Sequence, residues 1–224
     1  EQQASLQNIS FSIKSGEKVA IVGRIGSGKT TLQKLMLGLY QPQSGAVLFD
    51  GIDSKQIDPA DVRYHIGYVP QDLVLFFGSI RDNIVYGAPH ASDAEVLRAA
   101  DIAGVSEFAN NHPLGLERQV GERGEALSGG QRQSVAVARA LINDPPIYLF
   151  DEPSSGMDNS TEERFKSQLV SHTEGKSMVL ITHKTSLLSL VDRILVLDRG
   201  KLIADGPKDS VLEALRKGQL RVSS

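Results

Sequence analysis

The sequence of 224 residues has no cysteine and no tryptophan, and no apolar run approaches the roughly 20 residues that a membrane-spanning helix needs. Without cysteine, disulfides, zinc–thiolate sites and cysteine nucleophiles are excluded. A surplus of positive charge is also lacking: the formal net charge is −3, which argues against a nucleic-acid partner. The composition of the whole sequence, with 40% hydrophobic and 23% charged residues, is ordinary for a soluble globular protein.

The start of the sequence lacks both a signal-peptide pattern and an initiating methionine. Position 1 is Glu1, and the three methionines are Met36, Met157 and Met178. We therefore expect a piece of a longer chain; processing of the chain or an added tag is the alternative.

Short apolar segments alternate with helical patterns along the chain. Ile9, Phe11 and Ile13 alternate with polar residues, which predicts a half-buried strand. Further strand patterns occupy residues 18–22, 45–51, 66–71, 147–152, 177–183, 193–198 and 201–206. Helical patterns occupy 29–39, 80–86, 92–103, 159–170 and 184–190, and another follows a glycine-containing loop at 128–130 and ends at Leu141. This alternation predicts an α/β fold with a mostly parallel sheet.

One glycine-rich loop, GRIGSGKT, follows an apolar strand pattern directly and opens a helical pattern. It matches G-x-x-x-x-G-K-[ST], the phosphate-binding loop, in the required context. Lys29 would place a positive charge beside the β- and γ-phosphates, and Thr30 would offer its hydroxyl to Mg²⁺. The predicted nucleotide-binding residues are Gly23, Arg24, Ile25, Gly26, Ser27, Gly28, Lys29, Thr30 and Thr31. The alternative is a chance glycine-rich turn.

Polar residues follow three other strand patterns. Asp151 would hold Mg²⁺ through water, and Glu152 would orient or deprotonate an attacking water. The alternative is a solvated acidic pair that leads into a proline turn. Gln71 would contact Mg²⁺ or the water, and His183 would hydrogen-bond a γ-phosphate; a plain loop residue and a structural histidine are the alternatives.

A second loop suited to an anion, Ser128-Gly129-Gly130, also opens a helical pattern but contains no lysine. A serine-capped helix would explain the serine. It would not explain two glycines, which cost roughly 1 kcal/mol each inside a helix.

Together these segments resemble the nucleotide-binding domain of the ATP-binding cassette (ABC) transporter family. The order is a phosphate loop at 23–30, the Q-loop Gln71, the signature LSGGQ at 127–131, Walker B Asp151-Glu152, the D-loop Asp158 and the switch His183. The resemblance implies a RecA-like P-loop NTPase core with an antiparallel β region, formed by 1–91 and 142–224, and an inserted α-helical subdomain at 92–141 that carries the signature. It implies ATP and Mg²⁺ as cofactors, with catalytic residues Glu152, His183, Lys29 and Gln71 and metal contacts from Thr30, Gln71 and Asp151.

The family also implies why one domain has two anion loops. Two copies pair head to tail in the presence of ATP, and the signature loop of one copy closes over the ATP held by the other. This assigns Ser128, Gly129 and Gly130 to the partner's ATP, and the resemblance adds Gln131 and Asp158 to the nucleotide-binding residues.

Finer features are most similar to exporters. Glu122–Gly124 and Phe76–Phe77 are in the segments that would contact a transmembrane domain, although Phe76 and Phe77 would also suit a core. FDEPSSGMD is most like the ATPases of type I protein secretion. The resemblance implies a position at the cytoplasmic face of the inner (plasma) membrane for the transporter, and a soluble isolated domain. A lipid, peptide or drug exporter, a soluble ABC ATPase that acts on DNA or ribosomes, and a non-hydrolysing nucleotide sensor are the alternatives.

One expected feature of the family is missing. Residues 1–8 contain no aromatic side chain that would stack on adenine. The phosphate-binding residues do not depend on it.

Overall fold

The computed structural model describes residues 5–219, which form two compact units. The first unit comprises residues 5–66 and 175–219, and the second comprises 67–174. The strands are β1 (Lys18–Gly23), β2 (Leu48–Phe49), β3 (Ile52–Asp53), β4 (Ile66–Val69), β5 (Ile147–Asp151), β6 (Ser177–Ile181), β7 (Arg193–Asp198) and β8 (Lys201–Pro207). The α-helices are α1 (Lys29–Met36), α2 (Pro59–Tyr64), α3 (Ile80–Ile84), α4 (Asp93–Ile102), α5 (Val105–Ala109), α6 (Gly129–Leu141), α7 (Asn159–His172) and α8 (Lys208–Arg216).

The first unit is built on strands in the order β6-β1-β7-β8. Strand β1 is parallel to both β6 and β7, and β8 pairs antiparallel with β7. Val19, Ala20 and Ile21 of β1 are fully buried, as expected of a strand covered on both faces. Because β1 and β6 are parallel, the residues that follow them emerge at the same edge. The predicted α/β fold with mostly parallel strands and an antiparallel region is confirmed.

The segment predicted as one strand at 45–51 is a hairpin of two short strands. Leu48 pairs with Asp53 and Phe49 pairs with Ile52. The turn between them places Asp50 at φ 49° and Gly51 at φ 82°. Asp-Gly favours this left-handed turn geometry, so the dipeptide was the signal for a hairpin.

The strand predicted at Ile9, Phe11 and Ile13 is not present. Residues 9–14 alternate between exposed and half-buried side chains, yet they join no strand. The carbonyl oxygen of Ser12 accepts a hydrogen bond from the Arg193 side chain (2.8 Å), which occupies a group that a strand partner would use. The alternation of apolar and polar residues therefore identified the side chains that face inward, but it did not show whether the backbone pairs with a strand.

The second unit combines two neighbouring strands, β4 and β5, with helices α3 to α7. A Cβ at Gly67 of β4 would lie 2.7 Å from the ring of Tyr148 on β5, so only glycine fits there. Helix α4 begins at a capping box formed by Ser92 and Glu95, at the start of the helical pattern predicted for 92–103. Residues 92–141 contain α4, α5 and α6, all within this unit; the proposed boundaries of a helical subdomain stay a prediction.

Within residues 5–219, none of the helices combines the length and the apolar character that a membrane crossing would require.

Candidate functional site

The glycine loop begins where β1 ends and is shaped by close backbone contacts. A Cβ at Gly23 would lie 2.3 Å from the carbonyl oxygen of Leu197 on the neighbouring strand, so this position requires glycine. The Lys29 ammonium group donates hydrogen bonds to the carbonyl oxygens of Gly23 (2.6 Å) and Arg24 (2.8 Å). The lysine therefore lies across its own loop, with its charge held beside the loop backbone.

The loop has the features that a phosphate group requires. Gly28, at φ 103°, precedes α1, and no side chain caps the first turn of that helix. The N–H groups of this first turn and the positive end of the helix dipole therefore face the loop. The Ser27 hydroxyl is buried without a hydrogen-bond partner in the described structure, and a Cβ at Gly26 would meet open space. These residues fit a bound phosphate.

His183 belongs to the same unit as the glycine loop. Strand β6 ends at Ile181, is parallel to β1 and pairs with it in register. Thr182 is buried, and its hydroxyl accepts a hydrogen bond from the amide of Lys184 (3.0 Å), which fixes the turn around His183. The histidine and the glycine loop thus follow neighbouring parallel strands at one edge of the sheet.

In the second unit, Asp151 and the segment containing Gln71 follow neighbouring strands. Asp151 ends β5 and is 6% exposed. Burial, and after it the negative charges of the Asp151 and Asp72 carboxylates, raise the pKa of Tyr68 on β4 to about 12. Both carboxylates act on the Tyr68 side chain, and Asp72 directly follows Gln71. The Gln71 segment and Asp151 therefore lie near the same tyrosine.

Glu152 has an unusual backbone conformation. Its φ is 49°, in the left-handed region that a non-glycine residue seldom adopts. Its carbonyl oxygen accepts hydrogen bonds from the Ser155 amide (3.0 Å) and from the side-chain amide of Gln133 on α6 (3.3 Å). The predicted catalytic glutamate is therefore held by the backbone of its own loop and by the helix that follows the signature.

The signature residues form the start of α6. Ser128 accepts a hydrogen bond from the Gln131 amide (3.2 Å), and the Gln131 side chain accepts one from the Ser128 amide (3.0 Å). This is a capping box, so the serine does cap the helix. The two glycines differ: a Cβ at Gly130 would lie 2.7 Å from the carbonyl oxygen of Gly156, whereas a Cβ at Gly129 would meet nothing closer than 4.0 Å.

Asp158 caps the next helix, α7. Its carboxylate accepts hydrogen bonds from the Ser160 hydroxyl (2.6 Å), the Thr161 amide (2.9 Å) and the Thr161 hydroxyl (3.1 Å). The Ser160 hydroxyl and the Thr161 amide lower the pKa of Asp158. The Asp158 carboxylate therefore stabilises the start of α7 within its own chain.

The two segments assigned to a transmembrane partner are both accessible in part. Phe77 is 84% exposed and Phe76 is 42% exposed, so neither belongs to a core. Phe76 stacks on Tyr86 with ring centres 4.1 Å apart, and the Arg139 guanidinium lies 5.1 Å from the Phe76 ring centre. Glu122–Gly124 forms a 3₁₀ turn, in which Arg123 adopts φ 51°.

The structure thus divides the predicted site residues between its two units. The glycine loop and His183 lie in the first, and the second contains Gln71, the signature residues, Asp151, Glu152 and Asp158. In the described range, 5–219, there is no group of three His, Cys, Asp or Glu residues suited to a metal. Mg²⁺ held by one or two carboxylates together with substrate phosphates does not require such a group.

Three residues near Glu152 were missed in the sequence. Gln133 is 2% exposed within an apolar helical stretch, and a buried amide in such a stretch was the available signal. Ser154 is fully buried and donates a hydrogen bond to Glu162 of α7 (2.6 Å), itself 8% exposed. The spacing of eight residues between Ser154 and Glu162 carries no recognisable periodicity, so nothing in the sequence paired them.

Comparisons with known proteins show which proteins this chain is similar to. The family model described as ABC transporter matches residues 6–155. The chain is 42% identical over 208 residues to the leukotoxin translocation ATP-binding protein LktB of a Pasteurella haemolytica-like species, covering 93% of this chain and 29% of that protein. It is 39% identical over 212 residues to the ATP-dependent lipid A-core flippase 1 of Colwellia psychrerythraea, covering 95% of this chain and 35% of that protein.

A solved structure described as a bacterial Atm1-family ABC exporter with ATP bound also matches. The TM-score is 0.90 at 41% identity, over 96% of this chain and 38% of that one. The chain therefore spans about a third of the length of the relatives it matches.

Proposed function

Because the chain belongs to the ABC transporter family of ATPases, we propose that it is the ATP-hydrolysing, nucleotide-binding domain of an exporter. Members of this family hydrolyse ATP to power transport. The observation that carries the proposal is the first turn of α1, which has no side-chain cap and directly follows the glycine loop. Such a turn, with Lys29 beside it, presents N–H groups and positive charge to a triphosphate.

ATP and Mg²⁺ are the proposed ligands. Lys29 leaves the carbonyl oxygens of its own loop to donate to the β- and γ-phosphates, while the loop amides bind their oxygens. Thr30, Gln71 and Asp151 would hold Mg²⁺, which would supply positive charge to neutralise the phosphates. Binding thus depends on the loop and on polar groups at strand ends.

Glu152 and His183 are the proposed catalytic side chains for hydrolysis. Glu152 accepts a proton from, or orients, the attacking water, and His183 hydrogen-bonds the γ-phosphate. Lys29 and the glycine-loop amides stabilise the charge that develops during the in-line attack. The two acidic residues therefore have different roles: Asp151 holds the metal, and Glu152 acts on the water.

The partner of each domain is a second copy of the same domain. In this arrangement Ser128, Gly129 and Gly130 of one copy bind the γ-phosphate held by the other, and Asp158 lies at the same interface. The open space around Gly129 supports this role, because a backbone that must approach a ligand closely excludes a side chain.

Export is the proposed use of hydrolysis, at the cytoplasmic face of the membrane. The exposed Phe77 and the Glu122–Gly124 turn would contact the transmembrane domain. Similarity to the leukotoxin translocation protein supports secretion of a protein substrate, and similarity to the lipid A-core flippase supports a lipid as the second candidate.

Steady-state phosphate release tests the enzymatic proposal. Glu152→Gln should retain Mg-ATP binding and lower turnover by about 100-fold or more, since it removes the carboxylate that acts on water. Glu163→Gln, an exposed change on α7, is the matched control and should leave turnover unchanged. Equal turnover of wild type and Glu152→Gln would refute the role of Glu152.

The substrate class requires the full-length protein in lipid vesicles. Stimulation of ATP hydrolysis by an unfolded polypeptide, and not by a lipid A-type glycolipid, would support protein secretion. The opposite pattern would favour the lipid exporter.

A further inference from the structure

Glu152 is held in a left-handed conformation that must be stabilised by its surroundings. At φ 49° a non-glycine residue costs on the order of 1–3 kcal/mol, and such a conformation persists only where neighbouring contacts fix it. The direction of the Glu152 side chain depends directly on this backbone conformation. A group that holds the backbone therefore also aims the carboxylate.

Gln133 is placed to do this. It is 2% exposed on the buried face of α6, and its side-chain amide donates to the Glu152 carbonyl oxygen at 3.3 Å. A buried amide on an otherwise apolar face costs stability unless it is hydrogen-bonded, so its presence needs a reason. The Ser155 amide also donates to this carbonyl, but it belongs to the same turn and would move with it. Gln133 provides a contact from outside the turn.

We infer that Gln133 is a positioning residue, which holds Glu152 in the left-handed conformation and so aims its carboxylate at the attacking water. The inference rests on the proposed ATPase function.

Helix α6 begins at Gly129 in the signature loop. The loop that carries Glu152 also contacts the start of this helix, where Gly130 packs against Gly156. Displacement of the start of α6 by a nucleotide in a second copy would therefore reach Glu152 through Gln133.

Two variants of Gln133 in the full-length protein test the inference. Gln133→Met keeps the length and the buried packing but removes the donor, so kcat should fall about 10-fold with KM for Mg-ATP within about 2-fold. Gln133→Glu places a carboxylate against the carbonyl oxygen and should impair turnover at pH 8. When that carboxyl is protonated its O–H becomes a donor again, so turnover relative to wild type should recover as the pH is lowered towards 6.

The outcomes separate the inference from the proposed function. Absence of hydrolysis in the wild type, or hydrolysis that Glu152→Gln does not slow, would refute the function itself. Hydrolysis that requires Glu152 but is unchanged in Gln133→Met would overturn only the role of Gln133. The role of Gln133 would also be overturned if Gln133→Met lowered the affinity for Mg-ATP and Tm together with kcat, and if Gln133→Glu showed no recovery at lower pH. That pattern would indicate that Gln133 contributes packing alone.

Discussion

Gly130 of the signature loop and Gly156 of the loop after Glu152 lie in backbone contact: a Cβ on Gly130 would come within 2.7 Å of the Gly156 carbonyl oxygen. Gly156 is also restricted, because a Cβ there would lie 3.2 Å from the Gly130 nitrogen and its φ of 79° strains other residues. One glycine of the signature is therefore required by its own chain. The other, Gly129, has no such neighbour.

Alanine substitutions should separate the two glycines. Gly130→Ala forces a methyl group against backbone and should destabilise the domain by about 1–3 kcal/mol in urea unfolding. Gly129→Ala should leave stability unchanged within about 1 kcal/mol, yet weaken ATP-dependent pairing of two copies. Full pairing of Gly129→Ala with Mg-ATP, measured by light scattering, would remove this glycine from the phosphate contact.

The buried contact between Ser154 and Glu162 should matter for stability. Ser154→Ala deprives a carboxylate that is 8% exposed of a hydroxyl donor at 2.6 Å, which should cost about 1–3 kcal/mol. The neighbouring Ser155 is exposed, so Ser155→Ala is the matched control and should cost less than about 0.5 kcal/mol. Equal unfolding midpoints for both variants in urea would contradict this assignment.

Asp82 should make α3 sensitive to acid. The Ser79 amide, and then the Ser79 hydroxyl, lower the pKa of Asp82 below its ordinary value of 3.8. A lowered pKa in the folded state stabilises the protein above pH 3.8, and that contribution is lost as the pH falls through the lower value. Asp82→Asn should therefore lower Tm slightly near pH 7 and not below pH 3. Asp101→Asn, a change at an exposed carboxylate, is the control. A Tm difference between Asp82→Asn and wild type that stays constant from pH 7 to below pH 3 would contradict the prediction.

Phe76 and Phe77 should respond differently to substitution although they are adjacent. Phe76→Ala removes the stack on Tyr86 and the contact with Arg139, and should lower stability by about 1 kcal/mol. Phe77→Ala changes an exposed side chain and should leave Tm and the ATPase activity of the isolated domain unchanged. In the full-length protein in vesicles, Phe77→Ala should reduce transport; normal transport would exclude Phe77 from a coupling contact.

The sequence predicted the fold class well because strand and helix periodicities are local. The buried run at 177–181 and the serine cap of α4 both follow directly from residue type and spacing. The strand expected at Ile9–Ile13 was wrong because alternation reports which side chains face inward and not which backbone groups pair. The hairpin at Leu48–Asp53 was missed because the apolar residues before its turn have the pattern of a single strand, although Asp50-Gly51 favours a turn.

Candidate site residues could be proposed from the sequence only where they lie in short motifs. Lys29 and Glu152 could be named because they occupy fixed places in a loop and at a strand end. The contacts of Gln133 with Glu152 and of Gly130 with Gly156 join residues 19 and 26 positions apart in the chain, so only the tertiary structure reveals them.

The central claim is that the Ser128 loop binds the phosphate held by a second copy, and the molar mass of Glu152→Gln with and without Mg-ATP tests it most directly. We expect a monomer without nucleotide and a dimer with Mg-ATP. In that background Ser128→Asn keeps a helix-capping side chain and should still pair, whereas Ser128→Asp keeps the cap but repels the phosphate and should not. A Glu152→Gln protein that binds Mg-ATP and stays monomeric, or a Ser128→Asp variant that pairs as well as Ser128→Asn, would contradict the account.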